Sequence, residues 1–538
     1  MKKNILIFLS LFTISFSKLF AKENIIAYSI YEPPKNLDPA LINSEVEANV
    51  AVNLYDRLIK LNEKNEIEPA LAHKWETDGK KIVFHIRDDA KWSNGEDLTA
   101  YDFFYAFKRV LTPETGASYA YLLHSMNIKN SKEFTNGKVT FDKVGVKALS
   151  NKKFELELNV ELKDPIRVIA PLLAYVTCSP MNEKFIKKVK DYAKDEKSLL
   201  SSGPWMMQKW YFDDKFVLVK NPYYYNKDKI TIEKIKIYII KDSTTAVNMY
   251  RAGELDILLN LEKEPDHLLY FINTPDYNTN VTNSATYIEF NLRDKILANK
   301  NIRKAISFAI NREKLCKNIL RGAALPATSC IPYGFSGKKG DFRKENKEHL
   351  FTDSNLEKAR KLLEIGKQEL GIRELRLKLL TGNLAVNQKY AQYIQQELLT
   401  KLNITIDIEV TTLGIRIDKQ KLGDYHLMLG GWRADYPGYP TSFLDRLSSS
   451  STIDFIKWNN KKFDALIKKA ENAYSHEEKV QALFEAEKLV CDEEIGEFPM
   501  VPILFPLGIH ASKPNIKNVK IYTGSYSPDF RSTYIENR

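Results

Sequence analysis

Short runs that alternate hydrophobic and polar residues recur through the first half of the chain, and this two-residue period predicts β-strands. The clearest covers residues 81–87, where every second side chain from Ile82 to Ile86 is apolar. Another alternating run predicts a strand at residues 154–158, and strand-like runs without strict alternation predict others at residues 25–31, 216–219 and 230–240. One helix is predicted among them, because Thr99 and Asp102 form a capping signal ahead of an apolar face.

The second half of the chain changes to alternating strands and helices. A strand-like run at residues 375–379 is followed by a helical stripe at 386–402 and by a second strand-like run at 404–410. A strand, a helix and a strand with short joins predict a right-handed crossover, which places both strands parallel in one sheet. An earlier helix is predicted between a capping box at Ser354 and a stop at Gly371. We therefore predict an α/β fold.

The last apolar strand of this half, at residues 425–429, carries the candidate binding chemistry. In open α/β sheets, ligands bind beyond the carboxyl ends of the strands. The residues that follow the strand, interpreted as a loop, are Gly430-Gly431-Trp432-Arg433-Ala434-Asp435-Tyr436-Pro437. Asp435 would pair with a cationic group of a ligand, while the backbone beside it pairs with an extended chain. The alternative is that Asp435 only caps the turn and Trp432 packs in the core.

The N-terminus has the layout of a secretory signal peptide. Lys2 and Lys3 precede an apolar run at residues 5–16, and Ala21 is the expected last residue before cleavage. No cysteine lies near that position, so no lipid anchor is expected. We predict an exported, periplasmic protein that is free in solution.

Charge and hydropathy narrow the function classes further. The chain has 538 residues and a formal net charge of +11, which falls to +8 (11 − 3) when Lys2, Lys3 and Lys18 leave with the leader. The remaining basic residues are interleaved with acidic ones, unlike the basic stripe of a nucleic-acid binder. Past the leader, no run reaches the ~18 apolar residues of a membrane span, which excludes an integral membrane transporter.

Catalytic and cofactor signatures are missing from the sequence. It contains no GxxxxGK[ST], GxGxxG, GxSxG or HExxH motif. The eight histidines are scattered and the four cysteines form no CxxC pair, so neither a metal site nor a cofactor is expected, and an enzyme is disfavoured. Cys316 and Cys330 are 14 residues apart (330 − 316), a spacing that allows a local disulfide in an oxidising compartment. Sequence alone leaves that pairing open.

Several separated motifs resemble the bacterial extracellular solute-binding proteins of family 5, and within it the peptide receptors of ABC importers. In chain order they are Leu54-Tyr55-Asp56-Arg57-Leu58, Glu68-Pro69-Ala70-Leu71-Ala72, Phe84-His85-Ile86-Arg87-Asp88-Asp89-Ala90-Lys91-Trp92-Ser93-Asn94-Gly95, Ser202-Gly203-Pro204-Trp205, Lys220-Asn221-Pro222, Asn301-Ile302-Arg303-Lys304-Ala305 and the stretch from Trp432 to Phe443.

The resemblance implies a type II periplasmic-binding fold, in which two halves built from three lobes close around a hinge with the ligand cleft between them. A signal peptide would occupy residues 1–21. Lobe I would comprise residues 22–46, 200–284 and 506–538, lobe II residues 47–199, and lobe III residues 285–505. The implied partners are the permease and ATPase subunits of the importer, and a monomer is expected.

The resemblance also assigns roles to single residues. Asp435 matches the position that receives the α-ammonium of a peptide. Gly431 and Arg433, which flank Trp432, match positions whose backbone pairs with the peptide as an added strand. Tyr121 matches an aromatic residue at the N-terminal end of the ligand. Two further matches, to residues that line side-chain pockets, are Tyr287 and Glu289.

The sequence departs from the family pattern at the other end of the ligand. Leu429 occupies the position of an arginine that meets the peptide carboxylate, and Asn387 stands near a histidine with a similar role. Lys421 is close enough in sequence to take over that contact. Arg433 and Ser284 occupy the positions of a local cysteine pair. How the ligand ends is therefore open.

The leading hypothesis is a receptor that closes over short extended peptides and delivers them to an importer. An alternative in the same class is a dedicated cargo, such as a muropeptide, a dipeptide, haem or a metal chelate. A different class would be an exported chaperone or adhesin that uses the same groove. A hydrolase is the third class, and peptide cleavage would distinguish it.

Overall fold

The computed structural model describes residues 24–62, 65–263, 265–434, 438–451, 455–521 and 527–536. The predicted signal peptide and Asp435 lie outside these ranges. The described strands, in chain order, are β1 Ile25–Ile30, β2 Ile59–Leu61, β3 Ile67–Pro69, β4 Ala72–Thr77, β5 Lys81–Ile86, β6 Val146–Ser150, β7 Lys153–Glu157, β8 Trp205–Tyr211, β9 Lys215–Lys220, β10 Lys234–Ile239, β11 Ile257–Leu258, β12 Tyr277–Val281, β13 Ser284–Phe290, β14 Ala324–Pro326, β15 Leu375–Gly382, β16 Ile404–Thr411, β17 Leu427–Arg433, β18 Met500–Ser512, β19 Ile516–Lys517, β20 Lys520–Ile521, β21 Pro528–Asp529 and β22 Tyr534–Ile535.

The α-helices of the described ranges are α1 Glu45–Leu54, α2 Ala100–Leu111, α3 Ala120–Ser125, α4 Ser131–Thr135, α5 Pro165–Leu173, α6 Glu183–Ile186, α7 Ser243–Ala252, α8 Pro265–Leu268, α9 Lys300–Ala309, α10 Arg312–Lys314, α11 Phe342–Glu345, α12 Leu356–Leu370, α13 Ala385–Leu402, α14 Leu413–Leu422, α15 Thr441–Leu444, α16 Lys461–Glu471 and α17 His476–Cys491. None of them combines the length and the apolarity that a bilayer crossing requires.

One large sheet runs through the molecule. It has 12 strands, ten of them in the order β16-β15-β17-β13-β18-β11-β1-β10-β9-β8, and β12 and β14 pair with β18 at its side. As predicted, β15 and β16 are parallel neighbours joined through α13, and the first four residues of each alternate between buried and more exposed positions. A separate antiparallel sheet has the order β4-β5-β7-β6.

Three large clusters of buried hydrophobic side chains stabilise this arrangement. The first lies within residues 26–62 and 175–259 with a contribution from residues 516–535, the second within residues 40–225, and the third within residues 285–505. The chain enters the third cluster where β12 continues into β13 and leaves it within β18, which pairs with β13 near its start and with β12 near its end. On the other side of both passages, Tyr277, Ile509 and Ala511 pack in a smaller fourth cluster that includes Ala27 of β1.

Most predicted elements of regular period are present. The helix after Thr99 spans Ala100–Leu111, and the Asp102 carboxylate accepts the Thr99 N–H at 2.7 Å in the predicted capping box. Gly371 ends α12 in the left-handed conformation, as expected. The cap of α12 was predicted wrongly: Asn355, not Ser354, accepts the Lys358 N–H, because Ser354 itself adopts a positive φ of 53° outside the helix.

One further expectation is corrected, and one pairing that the sequence left open is absent from the described structure. The strand predicted to stop at Leu429 continues to Arg433, because residues 430–433 pair with β13 and are not a loop. Cys316 and Cys330 do not form a local pair. All four cysteines are buried thiols, and the neighbour of Cys330 is Cys491.

Candidate ligand-binding site

The backbone of β17 presents hydrogen-bonding groups to the space beside the sheet. β17 pairs antiparallel with β13 along its whole length, and the Ala434 N–H donates to the Asn283 carbonyl at 2.9 Å. Hydrogen-bonded and non-bonded pairs alternate in an antiparallel ladder. The backbone groups of Gly431 and Arg433 therefore point away from β13.

On its other side, β17 pairs with β15 over only part of its length. Their parallel ladder has its last register pair at Leu380 and Met428, and β15 ends two residues later at Gly382. The outward backbone groups of Gly431 thus lie beyond this ladder, at the carboxyl ends of β15, β16 and β17. Ligands bind at this edge of open α/β sheets.

The end of β17 lies against the N-terminus of α1. The Arg433 guanidinium is 3.6 Å from the carboxylate of Glu45, the first residue of that helix. The same carboxylate accepts a hydrogen bond from the Asn260 amide at 2.9 Å. The third core cluster and the N-terminal part of the large sheet therefore meet beside the predicted ligand position.

A cavity of about 470 Å³ opens next to this contact. It lies beyond the carboxyl ends of β1, β10 and β11, and its lining includes Tyr31, Lys241, Asn260 and His267. Burial raises the pKa of Tyr31, and the negative charge of Glu45 raises it further. The cavity and the edge formed by β17 thus both lie at carboxyl ends of strands of the large sheet.

Trp432, Tyr287 and Glu289 surround one arginine beneath the edge of β17. The Arg446 guanidinium lies 5.3 Å from the ring centre of Trp432 and 5.7 Å from that of Tyr287. Arg446 is ion-paired with Glu289, which also accepts a hydrogen bond from the Gln420 amide at 3.1 Å. Trp432 is half-buried, whereas Tyr287 and Glu289 are 0% and 5% exposed.

The remaining aromatic and acidic candidates are placed as follows. Tyr121 lies in α3 with 37% of its surface exposed, and its ring centre is 5.8 Å from that of Tyr119. Asp435 lies outside the described residues, between Ala434 and Gly438. The roles that the sequence assigns to these two residues stay predictions.

The structure separates the two residues expected at the carboxylate end. Lys421 is exposed near the end of α14, and its ammonium is 3.9 Å from the Asp418 carboxylate. Asn387 instead faces the end of β15: a side chain added at Gly382 would meet the Asn387 amide nitrogen at 2.8 Å.

Sequence reasoning missed Arg416, which shares this position with Asn387. Its Nη1 would lie 3.2 Å from a side chain added at Gly382. Burial lowers the pKa of Arg416, and no acidic side chain of the described ranges pairs with it. The available signal was its place in the first turn of α14, the helix that follows β16, because that turn lies at the carboxyl edge of the sheet.

Comparison with known proteins identifies relatives of this chain. Residues 66–455 match the family described as "Bacterial extracellular solute-binding proteins, family 5 Middle". The oligopeptide-binding protein OppA of Bacillus subtilis (strain 168) is 31% identical over 522 residues, which cover 94% of this chain and 92% of the relative.

Solved structures agree with this fold along nearly the whole chain. The peptide-bound OppA of Listeria monocytogenes has a TM-score of 0.71 and 26% identity, with 96% of this chain and 100% of that chain covered. The unliganded open form of MppA, a periplasmic murein tripeptide binding protein, has a TM-score of 0.81 and 24% identity, with 96% and 98% covered.

Proposed function

The chain belongs to the bacterial extracellular solute-binding proteins of family 5, and from that premise we propose that it is the receptor of an ABC importer that captures short extended peptides. Its fold is that of type II periplasmic binding proteins. The family consists of solute-binding receptors rather than enzymes. The name of the Bacillus subtilis relative and the peptide in the Listeria monocytogenes structure support peptide as the ligand class.

One observation carries the proposal: the outward backbone groups of Gly431 lie beyond the β15–β17 ladder at the carboxyl edge of the sheet. A peptide that adds as a strand there is held by main-chain hydrogen bonds, which do not depend on its sequence. Its α-ammonium would meet Asp435. A charge-assisted hydrogen bond contributes roughly 1.5–3 kcal/mol, so the terminus adds more than most side-chain preferences.

The other terminus would meet Arg416 and Asn387. Extending the β15–β17 register by two residues places Gly382 beside Gly430, three residues before Arg433 at the end of β17. At about 3.3 Å per residue this part of the edge is about 10 Å long, so a peptide of three or more residues is long enough to span it. A peptide whose amine is at Asp435 and whose chain runs opposite to β17 therefore ends where the Arg416 guanidinium and the Asn387 amide converge.

The compartment and partners belong to the same proposal. Export by the signal peptide at residues 1–21 would place the receptor in the periplasm, where it would deliver its ligand, as a monomer, to the permease and ATPase subunits. The three core clusters support a division into three lobes, and the first cluster also contains Leu54, Tyr55 and Ala193, which the sequence assigns to lobe II. The Glu45–Arg433 contact then joins lobes I and III across the cleft.

The test is calorimetry with tetra-alanine in three forms: unmodified, N-acetylated and C-amidated. Bound cargo is first removed by unfolding and refolding. We expect 1:1 binding of the unmodified peptide and a loss of about 2–5 kcal/mol on acetylation, the range for removing one partner of a buried charge pair. Asp435→Ala should lower affinity for the unmodified peptide by a similar amount and leave the acetylated peptide unaffected.

Native mass spectrometry of the purified protein distinguishes the other cargo classes. A ladder of mixed short peptides supports a broad peptide receptor, whereas one discrete mass indicates a dedicated cargo such as a muropeptide. If no peptide of two to six residues binds the cargo-free protein, the proposal is wrong. Cleavage of the peptides during incubation would instead indicate a hydrolase.

A further inference from the structure

Two cysteines that are far apart in the chain lie side by side in the third core cluster. The Sγ atoms of Cys330 and Cys491 are 3.1 Å apart, although 161 residues separate them. Both side chains are 0% exposed. Cys491 is the last residue of α17, and Cys330 lies in the segment that follows β14. The fold itself therefore brings these two thiols together.

Hydrogen bonds fix the Cys330 segment on both sides of the sulfur pair. The backbone N–H groups of Cys330 and Ile331 donate to the Glu487 carboxylate at 3.0 and 2.9 Å. Glu487 lies one helical turn before Cys491 and is ion-paired with the buried Arg343. The same α17 turn therefore holds the backbone next to one cysteine and carries the other, so the two sulfur atoms have little freedom to separate.

The other two cysteines are in different surroundings. The Cys178 thiol contacts the Leu172 carbonyl at 3.5 Å in the second core cluster, and Cys316 lies in a helical turn over residues 315–319. For neither of them does the described structure place a second sulfur atom within hydrogen-bonding distance.

We propose that Cys330 and Cys491 form an intramolecular disulfide in the exported protein. The family is extracellular, and disulfides form and persist in oxidising compartments. The two S–H bonds break and one S–S bond forms. The two electrons and two protons pass to the disulfide of a thiol–disulfide oxidoreductase, which leaves as a dithiol. Closing the gap to a bond of about 2.05 Å requires a movement of about 1 Å.

The disulfide would stabilise the residues that pack beneath β17 in the candidate site. The Cys330 carbonyl accepts a hydrogen bond from the Tyr287 hydroxyl at 2.8 Å, and Tyr287 faces Gly430 of β17 in the β13 register. Burial raises the pKa of the Cys330 thiol, so the reactive thiolate is scarce once the core has packed. Oxidation therefore belongs to an early stage of folding, before this segment closes over α17.

The test is thiol counting on the full chain secreted to an oxidising periplasm. The protein is denatured without reductant, alkylated with N-ethylmaleimide, and digested for mass spectrometry. We expect two labels, on Cys178 and Cys316, four labels after reduction, and a peptide pair that joins Cys330 to Cys491. Four labels without reduction, or a bond to Cys316 or Cys178, would overturn the proposal.

Thermal unfolding with and without reductant gives a second, independent measurement. Reductant should lower the Tm of the wild-type protein by about 5–10 °C, as for loss of a native disulfide that closes a long loop. The matched control variants Cys178→Ala and Cys316→Ala should keep this shift, and Cys330→Ala and Cys491→Ala should lose it. The wild-type comparison needs no variant to fold. An equal response to reductant in all five proteins would contradict the proposed pair.

Discussion

At the scale of single residues, Arg416 carries a charge that burial disfavours and that no acid among the described residues neutralises. A ligand carboxylate would supply the missing partner. We expect Arg416→Gln to weaken binding of unmodified tetra-alanine by about 10- to 100-fold, the equivalent of one charge-assisted hydrogen bond, and to leave the C-amidated peptide unaffected. Calorimetry with both peptides measures this difference.

Lys421→Gln is the matched control for Arg416. Lys421 lies later in the same helix but is exposed and near Asp418, so its loss should change neither affinity by more than about twofold. If Arg416→Gln weakens both peptides equally, the guanidinium acts on the fold of the edge and not on the ligand terminus. If instead only Lys421→Gln weakens the unmodified peptide more than the C-amidated peptide, then Lys421 is the residue that contacts the ligand carboxylate.

Substitutions at Gly431 test whether the ligand adds to β17 as a further strand. Its N–H points away from β13, so a proline there removes a hydrogen bond to the ligand but none within the sheet. A side chain at this position would also approach the Ala285 carbonyl oxygen to 3.0 Å, and Gly431→Ala controls for that contact. We expect Gly431→Pro to lose at least tenfold more affinity than Gly431→Ala, at similar Tm. Equal losses would exclude a main-chain hydrogen bond at this N–H.

At the scale of elements, the sequence predicted those with a regular period and missed those defined by distant partners. The strands at residues 81–86 and 375–382 were predicted, from alternating runs at residues 81–87 and 375–379. The second half of β17 reads Gly-Gly-Trp-Arg, which has no alternation, and it is a strand only because β13 pairs with it. For the same reason Arg416 was missed: its significance depends on how close it lies to Gly382, and nothing in the local sequence shows this.

β18 contains a buried histidine whose shifted pKa links stability to pH. His510 is 8% exposed, and burial lowers its pKa from 6.5 to about 4. Between pH 6.5 and about pH 4, the unfolded chain therefore binds a proton at this histidine, whereas the folded chain does not. Stability contributed by His510 is present above pH 6.5 and is lost as pH falls through this window, by about 3 kcal/mol in total.

His510→Asn should remove this pH dependence. We expect the free energy of unfolding of the variant to fall less steeply than that of the wild-type protein between pH 6.5 and 4, as measured by urea unfolding. His73→Asn is the control, because His73 is exposed and its replacement should leave the slope unchanged. Parallel pH profiles for the wild-type protein and His510→Asn would show that another group is responsible.

At the scale of the whole molecule, the order of strands in the large sheet is the least predictable feature. β1 lies between β10 and β11, and β18 lies between β13 and β11, so most neighbouring strands of the sheet are not consecutive in sequence. The local hydrophobic period predicts where a strand occurs but not which strand it pairs with. The predicted lobe arrangement rests only on the resemblance to a family, because the separated segments assigned to lobe I share no local signal.

The two passages of the chain into and out of the third core cluster, at β12–β13 and within β18, are where a hinge motion would concentrate. At the first passage, the Thr282 hydroxyl donates to the Pro506 carbonyl at 2.6 Å, and the Asn283 side chain bonds the Ala434 carbonyl, next to Asp435. In the proposed binding mode, a peptide held by Asp435 on one side and contacted by the predicted lobe I on the other would stabilise the closed arrangement, because only that arrangement offers both sets of contacts.

Small-angle X-ray scattering measures this closure directly. A compact chain of this length has a radius of gyration of about 24 Å. We expect the ligand-free protein to exceed this value and saturating tetra-alanine to lower it, whereas N-acetylated tetra-alanine at the same concentration should leave it unchanged. Calorimetry on the same samples establishes saturation. A saturated protein whose radius of gyration equals that of the ligand-free protein would show that the peptide binds to one lobe only, and the two passages would then have no role in capture.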